Sequence, residues 1–178
     1  MKRAALLYCA DIDAPRFKVL NARDQLPFIV SRNETEGRGT KFTLDHAFRL
    51  RLMLDLLGDA EMAGLGPAYV NSIIGNAMRF FPRHPLNQIE PKDWWLGVVV
   101  FEEALRDGET HRYSEWMACE IDNFHKWIAQ RTEPKEDGTR LKPVRVFMVN
   151  ATRVANFVRD RAEEMGLPEG SDFLLIAV

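Results

Sequence analysis

At 178 residues with 46% hydrophobic content, the chain has room for one ordinary domain or two small ones, and enough apolar mass for a core. A formal net charge of -2 argues against a tail that holds nucleic acid by bulk positive charge, and no run approaches the roughly 18 apolar residues of a membrane span. The charge is unevenly spread. Residues 1–57 carry ten Lys or Arg against seven Asp or Glu, the remainder fourteen against nineteen, the pattern of a basic nucleic-acid face joined to an acidic accessory part.

Met1-Lys2-Arg3 and the apolar residues up to Ala10 resemble the start of a signal peptide. The run stops at Asp11 with no small-x-small cleavage site, so a cytoplasmic protein is expected. Cys9 and Cys119 are far apart, without CxxC spacing or a nearby His pair, and read as buried thiols rather than a disulfide or a metal site.

The first clear element is a helix from about Asp45 to Leu57. Thr43 suits its cap, and Ala47, Leu50, Met53, Leu54 and Leu57 recur at helical spacing. Phe48, Leu52 and Leu56 add a second apolar row, which predicts burial from more than one side. A second helix begins at Pro67 and carries the stripe Val70, Ile73, Ile74, Ala77, Met78, Phe81. Pro82, Pro85 and Pro91 mark 82–93 as a linker.

Beyond it, Leu96 to Phe101 has strand composition and Asp107-Gly108 is a turn signal. Residues 111–120 fit either the second strand of a hairpin or the start of a helix, which is favoured over about 121–131. Val144 to Val149 reads as a buried strand, Asn150 as the cap of a helix ended by Gly166 and Pro168, and Phe173 to Val178 as a last strand. All four tryptophans, Trp94, Trp95, Trp116 and Trp127, lie between 94 and 127 and predict an aromatic core for this half.

Glu36-Gly37-Arg38-Gly39-Thr40-Lys41-Phe42-Thr43 is a short basic glycine loop leading into the first of these helices. Together with Leu44-Asp45, the run Leu50 to Leu57 and Gly64-Leu65-Gly66-Pro67-Ala68, it is similar to the wing and following helices of the MerR-like winged helix-turn-helix family. The likeness covers about residues 14–80. It implies a helix-turn-helix around Pro15 to Ser31, whose recognition helix offers Asn21, Arg23 and Gln25 to base edges. It implies a wing in which Arg32, Arg38, Thr40 and Lys41 meet the DNA backbone. Pro27 breaks a helix wherever it falls inside one, so the span of that recognition helix turns on it.

For catalysis the sequence offers little. Glu102-Glu103 and Glu163-Glu164 are adjacent residues that point apart, and the four histidines lack zinc-ligand spacing. No P-loop, Rossmann glycine signature or G-x-S-x-G is present. The sequence therefore predicts an α+β protein in three parts: a winged helix-turn-helix-like domain at 1–81, a linker at 82–93, and a β-α accessory module at 94–178. The function expected is a sequence-specific DNA-binding transcriptional regulator, not an enzyme. It would have no metal or cofactor, bind double-stranded DNA as a homodimer, and leave its accessory module for dimerisation or for a small-molecule or protein effector. The alternative is a protein-protein adaptor in which 94–178 carries the contact.

Overall fold

The computed structural model describes residues 1–30, 41–58, 66–81, 93–104, 108–135 and 138–167. In chain order these form α1 (Arg3–Ala10), α2 (Ala14–Ala22), α3 (Leu44–Gly58), α4 (Pro67–Ala77), β1 (Trp94–Ala104), β2 (Thr110–Glu120), α5 (Ile121–Arg131), β3 (Leu141–Asn150) and α6 (Ala151–Glu164). The protein is thus α+β, as its sequence predicts. The last predicted strand, Phe173 to Val178, and most of the linker lie outside the described residues. No helix among the described residues is long and apolar enough to cross a membrane.

Local chemistry accounts for most helix boundaries. At the start of α3 the Thr43 hydroxyl accepts the His46 amide (3.2 Å) while His46 Nδ1 accepts the Thr43 amide (3.1 Å), a reciprocal cap with histidine in the usual Glu or Gln place. Asn150 Oδ1 accepts the Arg153 amide at 2.8 Å and starts α6. Pro67 opens α4, where a missing N–H costs nothing. The α1, α2 and α6 helices all end in the same way. Ile12, Gln25 and Leu167 donate back to Leu7, Leu20 and Ala162 carbonyls, across residues at positive φ: Asp11, Asp24 and Gly166.

The sheet has order β2-β1-β3 and is antiparallel throughout. Residues 111–120, open to either reading in the sequence, are strand because every residue from Thr110 to Glu120 pairs with β1. A bulge between Val100 and Phe101 lies opposite Arg145 and Pro143, which accommodates a proline in an outer strand. Alternation on β1 sends Leu96 and Val98 into one core and Val99 and Phe101 into another, on the opposite face.

The larger core joins Leu6, Phe17, Leu50, Ile73, Val98 and Val158, so α1 to α4, the sheet and α6 share one apolar interior across the predicted linker. The predicted double burial of α3 is observed: nine of its fifteen residues are buried. On the other face α5 lays Phe124 over Gly97, where a Cβ would stand 2.1 Å from the ring. The tryptophans divide between the two faces. Trp94 and Trp116 pack against the larger core, beside Phe81 and Phe80, and Trp127 packs against the smaller one with Phe101 and Phe124.

Candidate nucleic-acid interface

The helix-turn-helix expected over Pro15 to Ser31 is not seen among the described residues 15–30. One helix, α2, occupies 14–22, and the residues from 23 to 30 are turn and bend, with Pro27 buried outside any helix. Upstream stands α1, which the sequence reading treated only as a leader-like run. Three residues, Asp11-Ile12-Asp13, separate the two helices. Asp11 takes φ 54° and ψ 54°, the left-handed turn that reverses the chain. Asp13 then caps α2 by accepting the Arg16 amide at 2.6 Å, and Pro15 sits in the first turn. The pair α1-turn-α2 places two helices in succession, as the segment 15–31 does not.

Phe17 and Leu20 anchor α2 in the core. Helical periodicity then turns Pro15, Lys18, Val19 and Ala22 outward, with Arg16 on one flank and Asn21 on the other. Val19 is 48% exposed, an apolar side chain at the crest of a polar helix. Arg3 of α1 stacks over the Phe17 ring at 5.0 Å and ties the two helices together. Of the three residues assigned to a recognition helix, only Asn21 lies in α2. Arg23 is its C-cap and Gln25 closes the helix end through its own amide.

Of the wing residues, Arg32, Arg38 and Thr40 fall outside the described residues, while Lys41 is exposed. Its neighbour Phe42 fixes its place. The Phe42 amide donates to the Met1 carbonyl at 3.0 Å, and the ring meets Phe17, Phe28 and His46 edge-on at 6.2, 6.1 and 6.1 Å. Lys41 thus emerges beside the start of α1 and the buried side of α2. Lys2, Arg3, Arg16, Lys18, Arg23 and Lys41 are all exposed, as are Asp11, Asp13 and Asp24.

Beyond the Asn21 flank lies an open groove of about 1180 Å³ between the end of α2, residues 26–30 and the first turns of α3 and α4. Asp45 and Arg49 in its wall are paired at 2.7 Å. Burial pulls the His46 imidazole below its ordinary range, against the pull of Asp45, and Phe28 lies over it at 4.5 Å. Asn71 donates to the Gln25 carbonyl at 2.7 Å, which fastens α4 to the end of α2.

The remaining titratable groups do not converge. Among the described residues no cluster of three or more His, Cys, Asp or Glu is placed to hold a metal. Both cysteine thiols are buried and pushed up by that burial. Glu115 is held by Arg131.

Arg16, Lys18 and Val19, which lie outside the expected recognition residues, are exposed on α2. Their signal was present: Asp13-Ala14-Pro15 is a helix start, and Phe17 and Leu20 follow at helical spacing. No protein-family model and no curated protein matches this chain.

Proposed function

We propose that the chain is a DNA-binding regulator of the winged helix-turn-helix kind, with α1 and α2 as its two-helix unit and α2 as the helix that enters the major groove. The carrying observation is the face of α2. A helix reached through a three-residue turn is anchored by Phe17 and Leu20 and turns Lys18 and Val19 outward. Lysine suits a phosphate or a guanine edge, and an exposed valine suits the thymine methyl group. Asn21, on the flank, offers an amide with the donor and acceptor that adenine requires.

This reading keeps the resemblance to MerR-like domains and moves its helix-turn-helix upstream. Pro27 then follows the recognition helix and interrupts nothing. Arg32, Arg38, Thr40 and Lys41 remain the wing side chains of the proposal, with Lys41 next to Phe42, whose ring meets Phe17 of α2. Residues 94–178 hold the sheet and its helices and would join two copies, so that paired α2 helices read a palindromic site and share their affinity.

A titration of duplex DNA at two salt concentrations tests this. The protein binds with a steep salt dependence, and replacing both Lys18 and Lys41 by Ala lowers the slope by about two, one for each lost phosphate contact. No binding at low salt, or a slope unchanged by the double replacement, overturns the proposal.

A further inference from the structure

The turn between α1 and α2 is held from the far end of the chain. Asp11, at the turn, receives Arg51 of α3 through Oδ2 at 3.1 Å and Arg161 of α6 through Oδ1 at 3.3 Å. Arg51 also binds Asp55 at 2.8 Å. Both guanidiniums lie over the Phe157 ring of α6, Arg51 at 4.7 Å and Arg161 at 4.8 Å. Arg161 does more. It donates to the Tyr8 carbonyl at 3.1 Å, stacks on the Tyr8 ring at 4.7 Å, and stands beside Glu164, whose carboxylate accepts the Tyr8 hydroxyl at 2.5 Å.

These contacts have a direction. Tyr8 and Asp11 are the last turn of α1 and the left-handed residue after it, the two points that determine where the chain goes next. A single exposed ion pair would hold neither firmly. Here the side chains of Arg51 and Arg161 are 25% and 28% exposed and that of Asp11 is 50% exposed, so the hold comes from the number of shared contacts and not from burial. Two cations share one carboxylate and one aromatic ring, and three elements distant in sequence supply the parts. Nothing local requires an aspartate at Asp11, since glycine or asparagine serves a left-handed helix end as well.

We infer that Arg161, acting with Arg51 through Asp11 and Tyr8, is a positioning residue that sets the orientation of α2, so that the C-terminal helix α6 governs how the DNA-facing helix is presented. The inference rests on the proposed function for its DNA consequence alone. The mechanical coupling stands on the contacts.

Arg161→Met keeps an unbranched apolar side chain and removes the guanidinium that lies over Phe157 and Tyr8, and Asp11→Asn keeps the left-handed turn and removes the carboxylate. Arg153→Met, an equal charge change on the exposed side of α6, is the control. Amide hydrogen exchange is followed on the full chain. In either test variant the amides of residues 11–22 exchange about threefold to tenfold faster while those of β1 keep their rate, and the double variant is no worse than the single ones. Arg161→Lys recovers part of the protection. Equal acceleration in α2 and β1, or none in α2, overturns the coupling. In the DNA arm, Arg161→Met weakens duplex affinity by a similar factor with the salt slope unchanged, since no phosphate contact is removed. If the unaltered protein binds no duplex, the DNA reading fails while the exchange result still decides the coupling.

Discussion

His46 shows how one side chain serves both a cap and the floor of a groove. Its Nδ1 accepts the Thr43 amide, so the proton of the neutral ring sits on the other nitrogen. Burial holds its pKa below the ordinary value. As pH falls through about 6.5 the unfolded chain takes up a proton that the folded chain resists. Stability from this residue is therefore complete at neutral pH and drains away below that value. His46→Gln retains the reciprocal cap in its commoner form and removes the titration. Thermal unfolding at about pH 7.5 and about pH 5.5 should show a smaller loss of midpoint in the variant than in the parent. The cap at Thr43 was legible in the sequence because capping is local. The burial of His46 was not, because Phe28 reaches it from eighteen positions upstream.

Among the elements, those with strong periodicity were located in the sequence, α3 and α6 to within a residue or two, and α4, β1 and β3 with ends displaced by up to four residues. The α3, α4 and α6 helices and the β1 and β3 strands carry apolar spacing and chemical end signals together. The short helices α1 and α2 were harder, having eight and nine residues and ending on Asp11 and Asp24 instead of glycine. An aspartate in a left-handed position carries no clear stop signal, and the ends of both helices are not legible from the sequence as a result. Residues 110–120 have a helical stripe in sequence and became strand because β1 offered them a complete ladder. The contact between α5 and β1 supplies a test. Gly97→Ala drives a methyl group into the buried Phe124 ring and should cost about 1–3 kcal/mol in denaturant unfolding. Shortening Phe124 in the same chain should make that second substitution nearly free of further cost.

At the scale of the whole molecule, the larger core crosses the proline-rich stretch that the sequence offers as a linker. The fully buried Leu50 lies in the core that α3 and α6 share. Leu50→Ala should therefore cost about 2–5 kcal/mol and lower one common transition, seen alike by tryptophan fluorescence from residues 94–127 and by far-ultraviolet circular dichroism. Separate transitions for the two signals would show instead that residues 94–178 hold together alone. Composition, periodicity and capping residues by themselves determined the α+β class, the buried α3 and the caps of α3 and α6, because each depends on residues within a few positions of one another. Tertiary structure alone decided the strand at 110–120, the division of the tryptophans between two faces, the presentation of α2 with Lys18 and Val19 outward, and the clasp of Arg161 on Asp11. Each of these is a contact between residues far apart in the chain, and no local pattern encodes which distant surface a side chain will meet.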